Sequence, residues 1–444
     1  MPPRLKNTLL IAGGHLLDPA QNLDGPYDLL IAEGRVSEVA PAGQITKAAE
    51  EQLDAQGMIV APGFIDIHVH LREPGQFYKE TIATGTRAAA AGGFTSVCAM
   101  PNTIPVNDTP ALTRWMQDPE REACINVFPI AAATVGSMGE RLTDYSALQR
   151  AGAVAVSDDG KPILQDDIMQ QALAAAARLE MPVVQHAEDT RLTVGASMNA
   201  GSCAFRLGLR GWPSEAETTI VNRDIKLAGK TRGHLHVAHL SAAASLEAVR
   251  NARRDGLHVT CEVTPHHFAL IDEDVADYNT NFKMNPPLRT NLDREALLAG
   301  LEDGTVDCIA TDHAPHAHHE KNAEFDRAPF GITGLETALG LCISILHMKN
   351  GLPLKRIVEL LTSNPARVMN LAGRGTLAPG SHADVTIFNP DKKWIYKTAD
   401  SQSKSKNSPF DGWQMQGRIA ATVVAGKIVW SNPASSKQDT KRVR

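Results

Sequence analysis

The sequence predicts an α/β fold: a TIM-type (β/α)8 barrel beside a small β domain built from the two ends of the chain. Three observations predict it. An apolar run followed by a helix-like stretch recurs eight times over about 300 residues, and alternating βα units make a parallel sheet that closes at eight. The chain has 444 residues, more than the roughly 250 a barrel of this kind needs. Short strand-like pieces with turn signals between them lie at both ends rather than within the repeat.

At the N-terminal end the strand-like pieces are 8–11, 28–31, 35–39 and 58–60, separated by Asp24-Gly25-Pro26 and Glu33-Gly34. The eight apolar runs follow at 64–70, 94–100, 125–131, 153–157, 182–187, 235–240, 258–263 and 306–311. Helix-like stretches stand at 80–91, 168–180, 242–255 and 292–302. A doubly wound open sheet is the alternative, but no Gly-x-Gly-x-x-Gly follows the first run. The β texture returns at 383–388 and 420–430, around the turn Ala425-Gly426-Lys427. The expected division is residues 1–60 with 377–432 as the β domain, 61–376 as the barrel, and a polar, flexible tail at 433–444.

Composition narrows the function. Charged residues are 21% and the net charge is −6, with no basic stripe, so nucleic acid is not the expected partner. The apolar stretch 338–346 is far shorter than the roughly 20 residues of a membrane span. The first ten residues hold no signal-peptide core of adequate length. The six cysteines, at 98, 124, 203, 261, 308 and 342, include no Cys-x-x-Cys. They read as small buried hydrophobes rather than a disulfide framework or thiolate zinc site, which makes the cytoplasm the expected location.

The chemistry starts in the first apolar run, Phe64-Ile65-Asp66-Ile67-His68-Val69-His70-Leu71-Arg72. Strand side chains alternate faces, so Ile65, Ile67 and Val69 fall on one side and Asp66, His68 and His70 on the other. Three polar groups are out of place in a parallel strand buried on both faces. Two imidazoles two residues apart can converge on one cation. Barrel sites lie at the C-terminal ends of the strands, and the ends of the other runs repeat the theme. They offer Asn102, Ser157-Asp158-Asp159-Gly160, His186 with Glu188 and Asp189 beyond, His239, and Thr311-Asp312-His313. Nitrogen and carboxylate ligands without thiolate suit zinc, with manganese, iron or cobalt as substitutes. So many ligands suit two ions about 3.5–4 Å apart with a bridging hydroxide, and zinc lowers the pKa of its water to about 7.

Other polar residues fit substrate binding. Arg72 offers a planar fork that matches a carboxylate, or else an ion pair with Glu73 or Asp66. Asn102 and Asn285 offer amides, although Asn285 beside two prolines also reads as a turn residue. His316 follows four residues after Asp312. The polar segment 314–331 reads as a lid or as an exposed loop. His266 and His267 read as supports of the site or as core; His15, His347 and His382 read as surface residues.

These residues fall into motifs that resemble the dihydroorotase family of the amidohydrolase superfamily, in its bacterial class I form. The motifs are Asp66-x-His68-x-His70-Leu-Arg72-Glu73-Pro74-Gly75, Lys79-Glu80-Thr81, Met100-Pro101-Asn102-Thr103 and Ser157-Asp158-Asp159-Gly160. They continue with Glu262-Val-Thr264-Pro265-His266-His267, Lys283-Met-Asn285-Pro-Pro-Leu-Arg289 and Ala310-Thr311-Asp312-His313-Ala314-Pro315-His316. The likeness runs from about residue 8 to 430. It implies reversible cyclisation of N-carbamoyl-L-aspartate to L-dihydroorotate in pyrimidine (UMP) biosynthesis, by attack of metal-bound hydroxide on a cyclic amide. In family terms His68, His70, Asp159, His186, His239 and Asp312 would be metal ligands, with Asp312 also the general acid/base. Arg72 and Asn102 would hold the substrate carboxylate, with Asn285, His316 and the Phe330-Gly331 backbone around the ring.

Many relatives bridge two metals with a carboxylated lysine on the fourth strand. Here the shorter Asp159 stands in that place, so the resemblance implies zinc at one or two ions per subunit, and Asp158 is the neighbour to distinguish from it. Gln76-Phe77-Tyr78 and Ser408 are small departures. Expected partners are the small-molecule substrate, a second copy in a homodimer, and aspartate transcarbamoylase. Two rivals remain. A hydantoinase or allantoinase would usually carry the lysine and lack Arg72. An inactive scaffold homologue that binds aspartate transcarbamoylase should have lost ligands, and all six positions are filled.

Overall fold

The computed structural model describes residues 7–432; the tail expected at 433–444 lies outside them. All eight expected barrel strands form. They are Phe64–Val69, Phe94–Ala99, Asn126–Ala132, Ala155–Ser157, Val183–Gln185, Leu235–Val237, Val259–Val263 and Cys308–Ile309. Each pairs in parallel with the next. The ring closes where Val69 bridges His313 in parallel and the His70 amide donates to the His313 carbonyl at 2.9 Å.

Helices form where apolar stripes and caps coincide. Ile82–Ala91 starts from Thr81, whose hydroxyl accepts the Thr84 amide at 3.1 Å, and it buries Ala88, Ala89 and Ala90. Asp166–Ala177 and Ala243–Arg254 follow their strands as expected. Asn291–Asp303 opens on a reciprocal Thr290–Asp293 cap and ends at Gly304, whose φ of +85° suits a residue without Cβ. The apolar stretch at 338–346 is a buried helix, Ala338–Leu341, running into the π-helical Cys342–Lys349.

Two features depart from the expected pattern. Between the fifth strand and its helix Glu215–Thr231, the chain inserts a short helix, Ser202–Leu207, and a two-stranded ribbon of Met198–Asn199 with Gly211–Trp212. The first strand also does not alternate without break. Its register against the second strand shifts between Phe64 and Ile65 and between Asp66 and Val69. Irregular pairing re-aims side chains, so Ile65 and Ile67 share a cluster with Cys98, Ile130 and Val184, whereas Val69 packs with a different one.

The two chain ends build one sheet. Its strand order is Lys427–Ser431, Gln414–Val424, Val385–Ile395, Ile59–Pro62, Thr8–Asp18, Leu23–Ala32 and Arg35–Pro41, with Glu51–Asp54 also paired to Thr8–Asp18. The join is antiparallel, with Ile387 opposite Val60. Leu9, Ile11, Leu29, Val60, Val385, Ile387 and Val423 form its core. Phe388 reaches the barrel and meets Phe64 at 5.9 Å between ring centroids. The Thr386 hydroxyl accepts the Phe64 amide at 3.1 Å and donates to the Gly93 carbonyl at 2.6 Å. Gly93 is required there: its φ is +89°, and a Cβ would lie 2.5 Å from Ile419 and 2.9 Å from Thr386.

Candidate metal centre

The carboxyl ends of the strands gather the predicted residues into one buried cluster. Two groups of potential ligand atoms, His68–His70–Asp159 and Asp159–His186–His239, each fall within 4.8 Å of one another and share Asp159. Asp159 Oδ1 lies 3.4 Å from His68 Nε2, 3.6 Å from His186 Nδ1 and 3.8 Å from His239 Nε2; Oδ2 lies 3.6 Å from His70 Nε2. Asp312 joins from the eighth strand, with Oδ1 3.0 Å from His70 Nε2 and 3.6 Å from His68 Nε2. Asp158 points elsewhere. Its carboxylate accepts the Thr134 amide at 3.0 Å and the Thr134 hydroxyl, and so ties the third strand's loop.

The outer nitrogens of three imidazoles are held, which fixes which nitrogen faces inward. A carboxylate only accepts, so His68 Nδ1–H donates to Glu262 at 2.6 Å and Nε2 faces the cluster as a lone pair. His186 Nε2–H donates to Glu188 at 3.0 Å and leaves Nδ1 inward. Asn102 donates from Nδ2 to Asp159 Oδ2 at 3.1 Å, which turns its oxygen to accept His70 Nδ1–H at 2.8 Å. Such outer contacts orient ligands and set their basicity. His239 differs: its Nδ1 is buried without a hydrogen-bond partner.

Electrostatics and unmet hydrogen bonding both fit a bound cation. His68 Nε2 and Asp159 Oδ1 are buried, face each other, and have no hydrogen-bond partner. Orphaned polar atoms of this kind are costly unless something fills the gap. Burial opposes charge on Asp159, but the surrounding imidazoles outweigh it and hold its carboxyl well below the usual range. The same opposition leaves Asp312 ionised: burial raises its pKa, and His70 at 3.0 Å and His68 at 3.6 Å lower it by more. Burial pulls His186 down, yet Asp159 and Glu188 push its pKa up to about 10. The cluster therefore attracts positive charge, and its nitrogen and carboxylate donors suit zinc or a similar divalent ion. Three of its residues, Arg72, His239 and Asp312, hold left-handed φ values of +61°, +30° and +49°, strain of about 1–3 kcal/mol each that collects at working sites.

Above the cluster lies a cavity of about 180 Å³. His70, Asn102, Asp159, His186, His239 and Asp312 line its base, and Arg72, Asn285, His316, Phe330 and Gly331 its walls. Of the predicted site residues only His68 lies beneath it, fully buried. Arg72 is not engaged by Glu73 or Asp66: Glu73 accepts the Ile82 amide, and Asp66 accepts from Thr311. Its Nε donates to the Pro315 carbonyl at 3.1 Å. His316 is neutral, since burial, with Arg72 and Lys79 nearby, lowers its pKa to about 2. Its Nε2–H donates to the Phe330 carbonyl at 2.8 Å. The Gly331 amide donates to Lys283 O at 2.9 Å. His267 donates to Pro286 O, and burial holds His266 neutral. His15 is exposed, and His347 and His382 are half-buried.

The segment 314–331 is pinned rather than loose. Lys321 Nζ donates to the carbonyls of Lys283, Pro329 and Gly331 at 3.0–3.3 Å. Asn407, from the C-terminal part of the chain, accepts the His316 amide at 3.0 Å and donates to Ala314 O and Gly331 O, both at 3.1 Å. Sequence reading missed the parts played by Asn407, Glu262 and Glu188. A carboxylate inside an otherwise apolar run was the signal for Glu262; Asn407 carried none beyond its motif.

The fold is shared with solved hydantoinases. L-Hydantoinase (dihydropyrimidinase) from Arthrobacter aurescens superposes with a TM-score of 0.85 over 95% of this chain and 96% of that one, at 24% identity. A closed barrel with a β domain built from both termini is thus the fold this chain shares with that hydantoinase. A family model described as Dihydro-orotase-like matches residues 57–245. Dihydroorotase from Solibacter usitatus is 49% identical over 96% of this chain and 99% of its own length, and that from Syntrophus aciditrophicus is 44% identical over 95% and 99%. The chain belongs to the dihydroorotase family.

The Asn407 bonds can be tested apart from chemistry. Asn407→Ala removes three contacts to the cavity wall, and each buried group left unmatched costs about 1–3 kcal/mol. Faster amide exchange confined to 314–331 is expected, with barrel amides unchanged; uniform loosening of the barrel would show that Asn407 acts on the whole fold.

Proposed function

We propose that this chain catalyses the reversible closure of N-carbamoyl-L-aspartate to L-dihydroorotate, a step of UMP synthesis, with zinc held by His68, His70, Asp159, His186, His239 and Asp312. The observation that carries the reading is Asp159 among four inward-facing imidazole nitrogens at 3.4–3.8 Å, beneath a cavity walled by Arg72. Two ligand groups sharing one carboxylate support two ions per subunit. When bound, zinc supplies a Lewis acid and water with a pKa near about 7.

The chain's own groups supply the rest. Asp312 is ionised on the cavity floor, so it takes a proton from attacking water and returns it to the leaving ring nitrogen; in the closing direction the transfers reverse. Arg72 presents its guanidinium to the substrate carboxylate. Asn102 has its oxygen and one amide hydrogen engaged, which leaves its second hydrogen for the same carboxylate. Asn285 Oδ1 is buried without a partner while its Nδ2 donates to Glu188, so it can accept a substrate N–H. His316, Phe330 and Gly331 form the facing wall. Near-full-length relatives at 44–49% identity carry the dihydroorotase name, which favours dihydroorotate over hydantoin or allantoin, and six filled ligand positions oppose a scaffold role. Six free cysteines, five of them buried, suit the reducing cytoplasm. A homodimer and an aspartate transcarbamoylase complex remain proposals on the family likeness.

The deciding experiment is hydrolysis of L-dihydroorotate by zinc-loaded protein before and after chelation, with hydantoin and allantoin in parallel. Turnover of dihydroorotate alone, lost on chelation and restored by zinc, is the expected result. Turnover of the other rings instead would overturn the substrate assignment, and activity that survives metal removal would overturn the metal. Asp312→Asn should lower kcat by about 10²–10⁴-fold while zinc content stays near normal; near-normal kcat removes Asp312 from proton transfer. Arg72→Ala should weaken dihydroorotate by about 10–100-fold, the worth of a charge-assisted hydrogen bond of about 1.5–3 kcal/mol. An equal loss for an analogue without the carboxylate would make Arg72 structural.

A further inference from the structure

A barrel interior is ordinarily filled by layers of branched apolar side chains. Here a file of polar side chains runs up through it along the sixth and seventh strands. His236 and Thr260 are register partners, and Glu262 lies two residues beyond Thr260 on the same strand. His234 Nε2 is 2.7 Å from Thr260 Oγ1, which is 2.8 Å from His236 Nδ1. His236 Nε2 is 3.2 Å from Glu262 Oε2, and Glu262 Oε1 is 2.6 Å from His68 Nδ1. His234, Thr260, His236, Glu262 and His68 are all buried. At the far end the exposed His258 ring stacks on His234, with centroids 3.9 Å apart and planes at 10°.

With neutral imidazoles the protons along this file have one consistent arrangement. Glu262 is a buried carboxyl group with an imidazole nitrogen within hydrogen-bond reach of each of its oxygens, and as a carboxylate it accepts from both. It can only accept, so His236 donates from Nε2 and keeps a lone pair on Nδ1. The Thr260 hydroxyl must then donate to His236 and accept from His234 Nε2–H. Burial keeps His234 neutral, with its pKa lowered to about 2, as this order requires. Every donor therefore points toward Glu262, and Glu262 is loaded from both sides.

We propose that His236 and Thr260 are positioning residues for the metal centre, which hold Glu262 so that it keeps the proton of His68 on Nδ1 and the lone pair on Nε2. The inference rests on His68 being a ligand. Without His236, Glu262 keeps only His68 Nδ1 and the His239 amide, at 3.2 Å, as partners. One oxygen is then stranded, and the carboxylate is free to turn from His68. His236 neither lines the cavity nor belongs to the ligand groups, so its effect falls on affinity for the ion.

The test is zinc titration of the metal-free full chain against a competing chelator, with unfolding of the same metal-free samples alongside. His236→Leu should bind zinc about 10–100-fold more weakly, as losses of outer partners do. His236→Gln, which retains an amide donor for Glu262, should recover most of that loss. Thr260→Val keeps the shape and removes the hydroxyl, and should weaken zinc by a smaller factor. A folded His236→Leu with unchanged zinc affinity overturns the proposal, even if its unfolding midpoint drops. If His236→Leu does not fold, Thr260→Val decides on the same readout, and unchanged affinity there overturns it. Wild-type protein that takes up no zinc sinks the metal centre itself, a failure visible before any variant is compared.

Discussion

A buried carboxylate surrounded by imidazoles is stable only if positive charge or donated hydrogen bonds offset its desolvation. Asp159 is in that position, and the rest of the rim follows from it. Four rings from the first, fifth and sixth strands converge on it, and each needs its inward nitrogen free of a proton to accept an ion. Glu262, Glu188 and Asn102 meet that need by taking the outward proton from three of them. The centre thus extends well past its ligands, to a carboxylate inside the barrel wall and an amide on the second strand.

The fold supplies fixed points for these contacts. Closure between Val69 and His313 brings the first and eighth strands together and so sets His70 beside Asp312. The β domain does more than cap the barrel. Its C-terminal part sends Ser403, Ser405 and Asn407 across to the rim, where Ser403 binds Glu80, Ser405 binds the Lys79 carbonyl at 2.7 Å, and Asn407 braces His316. With Lys321 beneath it, the wall facing the metal centre is held from two directions.

Much of this was legible in the sequence, because hydrophobic periodicity and strand-end chemistry are local signals. The eight apolar runs became the eight barrel strands, and the four helix-like stretches formed within a few residues of their expected ends. Local signals stop where a turn decides direction. Asp158 and Asp159 are adjacent and chemically alike; only the turn after the fourth strand sends one to Thr134 and the other to the imidazoles. The insertion between residues 189 and 212 has too little periodicity to announce a ribbon and a short helix. The shifted register of the first strand depends on its neighbour, which no alternation pattern contains. Glu262 acts from inside the seventh strand, Val259–Val263, where the pattern of polar residues at strand ends gives no signal.

The antiparallel join between Ile59–Pro62 and Val385–Ile395 sets an order of events during synthesis. A chain emerging from the ribosome presents Val60 more than three hundred residues before its partner Ile387, so the N-terminal strands wait with an open edge while the whole barrel is made. Open edges of this kind invite pairing with other chains. Asn407 arrives later still. A nascent barrel can therefore hold all of its ligand histidines and aspartates and yet lack the brace on its cavity wall, and only a chain translated past Asn407 has a finished site.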